Sequence, residues 1–268
     1  MHRWALLLLL VAATFELAAQ PIKRVYRVDV TAPETAFAQG FHPNGFRTNV
    51  LAHAIGGACH ETEPTRASWW VSTTHDLNQA IRLAEAQLGA MRGHPDARVW
   101  IYTIRPDSEY LSVEWLVRQV ILEGEIGAGH RYTRAHADTL RWLLARTSIV
   151  ADREIIAPRL LPANIVEAVP ARFAGGRISL GISTPNPVYR NADTSVNTEV
   201  HDIGPYIPPT SIRLDLYDAA NTASCAMGCD GASPRAPRLL ATASAAEGYC
   251  MDYRRSAITP VMQFVLFD

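Results

Sequence analysis

The sequence has no block of like charge: 25 Lys and Arg stand against 26 Asp and Glu, for a net charge of -1. That balance leaves no electrostatic footprint for strong binding to nucleic acid or to an anionic membrane. No stretch beyond the first twenty residues is apolar and long enough to span a bilayer, and no internal repeat or low-complexity tract is present. Charged residues are scarce at 19% while hydrophobic ones reach 48%, which excludes a disordered chain and a small disulfide knot and supplies a sizeable core.

The first twenty residues differ from the rest. His2 and Arg3 precede an apolar run from Ala5 to Phe15, and small residues follow at Ala18 and Ala19. This order of basic, apolar and small residues predicts a secretory signal peptide over residues 1–19, and the apolar run is too short to be a membrane anchor. Export in turn sets the reading of the four cysteines, Cys59, Cys225, Cys229 and Cys250. They predict two disulfides in one of three pairings. The C-x3-C spacing of Cys225 and Cys229 is also half of a zinc site, but no second cysteine or histidine pair at such spacing accompanies it.

Local patterning predicts an α+β chain with a mixed sheet. Residues 24–30 alternate as a strand, residues 31–66 read as loops around a short helix near Asn49–Ile55, and residues 68–72 (SWWVS) read as a strand. Asp76 opens a helix whose apolar positions recur every three to four residues until Gly93 and Pro95 stop it. Residues 98–104 (RVWIYTI) are apolar on both faces, as in a central covered strand. Helices are expected over 109–123 and about 136–147, and short strands over 154–157 and 164–169. From about Thr184 the chain becomes proline-rich and loop-like, ending in the apolar Val261–Phe267.

Five segments, in order, carry a resemblance. They are Val25-Tyr26-Arg27-Val28-Asp29 with Pro33, Phe37, Gly40 and Phe41; Asn49-Val50-Leu51 with His53, Gly56 and Cys59; Val71-Ser72-Thr73-Thr74; Tyr102-x-x-Arg105 with Asp107 and Tyr110; and Glu154 followed by Leu161-Pro162-Ala163-Asn164-Ile165. Together they resemble the family of the pertussis toxin catalytic subunit, whose relatives include the mono-ADP-ribosyltransferase subunit of typhoid toxin. The resemblance runs over about residues 25 to 170. It implies the split mixed or antiparallel sheet of ADP-ribosyltransferase toxins with flanking helices, and an irregular disulfide-tied C-terminal segment. The implied organisation is a signal peptide at 1–19, a catalytic domain at 20–183 and a loop-rich region at 184–268.

The implied activity is transfer of ADP-ribose from NAD, a substrate, to a host protein, with nicotinamide released and no metal required. Positive charge develops on the ribose as the glycosidic bond breaks, and a fixed carboxylate stabilises it. The resemblance assigns that role to Glu154, which by position alone reads as a solvated surface acid. Asp152 shares a side of an extended chain with Glu154, and the resemblance places it where relatives carry Gln or Glu to orient the acceptor; a loop acid is the alternative.

Arg27, in an apolar strand, either pairs with Asp29 or, as the resemblance implies, binds the NAD phosphates with Asp29 beside it, and the two readings are compatible. Ser72 and Thr73 are implied at the NAD site, with Ser72 holding Glu154, against a helix cap that Thr74 or Asp76 serves better. His53 is either a satisfied core histidine or, by resemblance, a cleft residue that activates the acceptor or binds NAD. Trp69 and Trp70 are expected to pack, with one of them lining the cleft as the alternative. Asn44 stands where the family has a tryptophan.

The resemblance further implies a bridge from Cys59 to Cys225 or Cys229, with the other joining Cys250, and reductive release of the cleft in the target cell, for which a purely structural staple is the alternative. It implies docking of Val261–Phe267 into a pentameric ring of binding subunits, for which a last strand is the alternative. Residues 233–238 (SPRAPR) read as an exposed loop suited to nicking. Rival functional readings are an NAD glycohydrolase, with water as acceptor, and a catalytically inactive secreted binding protein on the same fold.

Overall fold

The computed structural model describes residues 21–54, 64–65, 67–91, 98–127, 129–146, 153–174, 176–200 and 202–212. The signal peptide, Asp152, all four cysteines, the loop at 233–238 and the apolar end lie outside the described residues. The elements, in chain order, are β1 (Val25–Asp29), α1 (Pro33–Gln39), α2 (Val50–Ala54), β2 (Val71–Thr74), α3 (Leu77–Ala90), β3 (Val99–Ile104), β4 (Leu111–Ser112), α4 (Val113–Ile126), α5 (Arg134–Arg146), β5 (Glu154–Ala157), β6 (Ile165–Ala174), β7 (Arg177–Leu180) and β8 (Thr184–Pro185). Short 3-10 turns occur at Pro162–Asn164 and Pro209–Ser211.

The strands run in the order β4-β5-β2-β1-β3-β6-β7, with β8 also on β6. Every described pairing between these strands is antiparallel, in place of the mixed sheet expected from local patterning, and the described parallel bridges are isolated ones, Leu111 with Asn197 and Arg47 with Ser68. It is nearly split. Five rungs join β1 to β3 and four join β2 to β5, but β1 and β2 meet at a single rung, Tyr26 opposite Thr74. Half of the sheet is therefore β4-β5-β2 and the other half β1-β3-β6-β7, and the site described below sits at their junction.

Strand periodicity distributes the core. On β3, Val99 and Ile101 face a cluster with Val28, Leu83, Ala84 and Leu88 of β1 and α3. The alternate residues Tyr102 and Ile104 face a second cluster with Val25, Phe37, Phe41, Ile155 and Leu160. Apolar side chains on both faces explain why the sequence of β3 reads as a covered central strand. The third cluster packs α4 and α5 against β4, β5 and α2 through residues such as Leu116, Leu140, Leu143 and Leu51. Each of these fully buried side chains contributes about 1.5–3 kcal/mol.

Side chains cap the starts of α3 and α4, the first at the residue expected from the sequence and the second later than the expected start at 109. Asp76 caps α3, accepting from the backbone N–H of Asn78 at 2.8 Å and of Gln79 at 3.4 Å. Ser112 caps α4, accepting from the N–H of Trp115 at 3.2 Å. Residues 184–212, loop-like in the sequence, pack into this body. Val196 donates to the Ile22 carbonyl at 3.0 Å, and Ile203, Ile207 and Ile212 join the third cluster.

Candidate functional site

The segment Gly40-Phe41 builds the floor. Gly40 has φ +71°, and a Cβ there would lie 2.0 Å from the Leu160 carbonyl oxygen, so only glycine fits. The close approach lets Phe41 and Leu160 exchange two backbone hydrogen bonds of 2.9 Å. It also places the Phe41 ring 4.9 Å below the Arg27 guanidinium.

Arg27, Asp29 and Val25 share one face of β1. The Arg27 Nε and Nη2 donate to Oδ2 of Asp29 at 3.0 and 2.7 Å, and the other Asp29 oxygen accepts from the N–H of Thr31 at 2.9 Å. Both side chains are nearly buried, at 10% and 13% exposed. Because β1 and β2 share one rung, the main chain of β2 stays open to a side chain. Nη1 of Arg27 donates to the carbonyl of Ser72 at 3.0 Å. The pair with Asp29 expected from the sequence is thus present, and the same guanidinium reaches Ser72.

The motif Asn49-Val50-Leu51-x-His53 explains α2. Asn49 Oδ1 accepts from the N–H of Ala52 at 3.1 Å, Val50 and Leu51 enter the third cluster, and Val50 donates to the Tyr206 carbonyl at 2.9 Å. His53, 1% exposed, then turns toward β2 and β5. Its Nε2 lies 2.9 Å from Ser72 Oγ and 3.1 Å from Glu154 Oε1, and its Nδ1 lies 2.6 Å from Ser68 Oγ. Glu154 is also 1% exposed. The register sets this convergence: Thr74 faces Glu154 and Ser72 faces Ile156, so Ser72 and Glu154 stand on one face of the β2–β5 pair, two residues apart on the diagonal.

Arg153, immediately before Glu154, has φ 47°, the left-handed region that non-glycine residues rarely adopt. It is held there by a hydrogen bond from the N–H of His75 to its carbonyl at 3.3 Å, and its guanidinium lies 3.6 Å from Asp76. Burial, and next the Arg153 charge, hold the His75 imidazole below its ordinary range.

The structure therefore brings Arg27, Asp29, Ser72, His53 and Glu154 together. Thr73 points to the opposite face of β2, where its hydroxyl donates to the Ile155 carbonyl at 2.7 Å and stitches β2 to β5. Trp70 packs as expected, its indole N–H donating to the Thr48 carbonyl at 2.9 Å and its ring 5.9 Å from that of Tyr206. Asn44 is exposed, while Phe46, two residues on, is 66% exposed with its ring 6.4 Å from that of Trp69.

The motif residues outside the site are latches. Asn164 accepts from Arg105 Nη2 at 2.5 Å and donates to Asp107 at 2.7 Å, fixing the start of β6. Tyr102 donates from its hydroxyl to the Thr31 carbonyl. Sequence reasoning missed Ser68: it lies in the segment SWWVS, where nothing in the spacing marks one serine above another. It also missed the contribution of Tyr206, which sits far along a stretch without periodicity.

A family model described as pertussis toxin, subunit 1, matches residues 20–253. The ADP-ribosylating toxin CARDS of Mycoplasma pneumoniae is 28% identical over 238 residues, covering 78% of this chain and 37% of its own length. The pertussis toxin subunit 1 homolog of Bordetella parapertussis is 24% identical over 245 residues, covering 87% of this chain and 83% of its own. Among solved structures, EcPltA superposes with a TM-score of 0.50 at 27% identity, over 70% of this chain and 94% of that one. Full-length CARDS toxin superposes with a TM-score of 0.54 at 22% identity, over 70% and 33%, a likeness of fold. The chain thus spans little more than a third of CARDS toxin but most of the Bordetella homolog.

Proposed function

The chain belongs to the pertussis toxin subunit 1 family, and from that premise we propose that it is the catalytic subunit of a secreted toxin that transfers ADP-ribose from NAD to a host protein. The observation that supports this reading most strongly is the placement of Ser72. Its carbonyl takes the Arg27 guanidinium, and its hydroxyl lies on the imidazole that also meets Glu154. A cationic fork and a carboxylate are thus fixed on either side of one residue.

In this reading Arg27, pre-set by Asp29 and Ser72, takes the diphosphate of NAD, for which its planar fork is suited. Glu154 faces the nicotinamide ribose, holds its 2′-hydroxyl and stabilises the cation that forms as the ribose C1′–N bond breaks. The bonding pair leaves with nicotinamide. A nucleophilic side chain of the acceptor forms the new bond to C1′ and releases its proton to solvent. His53 and Ser72 orient the carboxylate. Asp152, two residues before Glu154, orients the acceptor.

The bridge from Cys59 to Cys225 or Cys229, with the other cysteine joined to Cys250, ties the C-terminal region to the catalytic domain until reduction in the target cell. Export rests on residues 1–19, and Val261–Phe267 docks into a ring of binding subunits. One assay tests the reading: purified protein with labelled NAD, with and without host-cell lysate and reductant. Label on a protein band is expected. Free ADP-ribose alone identifies a glycohydrolase, and no turnover under any condition identifies a binding protein.

A further inference from the structure

The two nitrogens of His53 are both engaged by hydroxyls of one short segment. Ser68 lies on Nδ1 at 2.6 Å and Ser72, four residues on, lies on Nε2 at 2.9 Å. We propose that Ser68 is a positioning residue of the NAD-cleaving site, whose hydroxyl proton fixes His53 as the Nε2–H tautomer so that the ring donates toward Glu154. The proposal rests on the role given to Glu154 above.

Proton accounting carries it. Ser68 is 5% exposed. Its Oγ lies 3.0 Å from the N–H of Trp70, a peptide group that only donates, so Oγ accepts there. The hydroxyl has one proton of its own, and among the described residues its remaining polar neighbour is His53 Nδ1. Ser68 therefore donates into the lone pair of Nδ1. The ring proton then sits on Nε2, which faces the Glu154 oxygen at 3.1 Å and Ser72 Oγ at 2.9 Å, both able to accept.

The opposite tautomer reverses each term. It makes Ser68 accept twice with its own proton left without a described acceptor in a buried place, and it sets the Nε2 lone pair against a carboxylate oxygen. The support behind Ser68 is rigid: its carbonyl accepts from Gly45 N–H at 3.0 Å, and its neighbours Ala67 and Trp69 bond Arg47 on both sides at 2.9 Å. In this arrangement His53 is a fixed donor behind the carboxylate and has no lone pair turned toward an acceptor.

Nitrogen NMR of protein labelled in its histidines, near pH 7.5, tests this without requiring turnover, with the His53 signals identified by their loss in His53→Asn. The expected result is a lone-pair-bearing Nδ1 and a protonated Nε2. A ring protonated on Nδ1, alone or together with Nε2, overturns the proposal. In Ser68→Ala the tautomers are expected to mix, and kcat for nicotinamide release to fall about tenfold or more with KM for NAD within about threefold, as when a histidine loses the group that sets its tautomer. Ser68→Thr restores a hydroxyl and is expected to restore both readouts. A folded Ser68→Ala protein with an unchanged Nε2–H ring and wild-type kcat also overturns the proposal. If the wild type does not cleave NAD at all, the proposed function fails while the tautomer measurement still decides the role of Ser68.

Discussion

Arg27 and Ser72 are joined by a side-chain-to-backbone hydrogen bond of 3.0 Å at the place where the sheet is held by a single rung. The gap between β1 and β2 and the buried guanidinium that fills it explain each other. A continuous ladder would use the Ser72 carbonyl for strand pairing and leave an arginine in an apolar strand without that partner. The same residue ties the guanidinium to Glu154 indirectly, since the Ser72 hydroxyl lies on the His53 imidazole that meets the carboxylate.

The carboxylate of Asp29 holds this arrangement from the other side. One oxygen takes two Arg27 donors and the other takes the Thr31 N–H. In Asp29→Asn the amide has one oxygen for these three donors and turns an N–H toward another donor. KM for NAD is expected to rise about tenfold, equivalent to about 1.4 kcal/mol, with a smaller change in kcat. Steady-state kinetics with NAD varied checks this.

Gly40 is expected to be intolerant. Gly40→Ala combines a positive φ with a Cβ that overlaps the Leu160 carbonyl, and the Phe41–Leu160 bridge beneath Arg27 must shift. A loss of about 3 kcal/mol in urea unfolding is expected.

The elements that carry strong local signals were legible in the sequence. β1, α3 and β3 follow from alternation, from the Asp76 cap and from a doubly apolar run. α1 was not: it begins at Pro33 without a side-chain cap, lies among Gly, Pro and Asn, and gains its stability from burying Ala36 and Phe37. β7 was missed because it is half exposed at the sheet edge and, among the described strands, pairs only with β6. The gathering of His53, Ser72 and Glu154 depends on registers between segments about 20 and 100 residues apart, which no local pattern encodes. It was anticipated through family resemblance alone, and Ser68, outside the motifs, was not anticipated.

Tyr132 pins residues 203–212 to the helical layer. Its hydroxyl donates to the Ile207 carbonyl at 2.6 Å, and burial pushes the phenol up to about 12. The ordinary value is about 10, so the unfolded chain loses this proton first, and the contribution is present below pH ~10 and lost as pH rises toward ~12. Tyr132→Phe is expected to cost about 1 kcal/mol near pH 8. The gap from wild type is expected to narrow by pH ~11, as read from urea midpoints across that range.

Nicotinamide release from NAD by the purified, reduced protein and by Glu154→Gln tests the central claim most directly. With Glu154 in the role proposed for it, this substitution is expected to lower kcat by about 10²–10³-fold with NAD binding retained. A folded Glu154→Gln protein that releases nicotinamide at the wild-type rate contradicts the assignment.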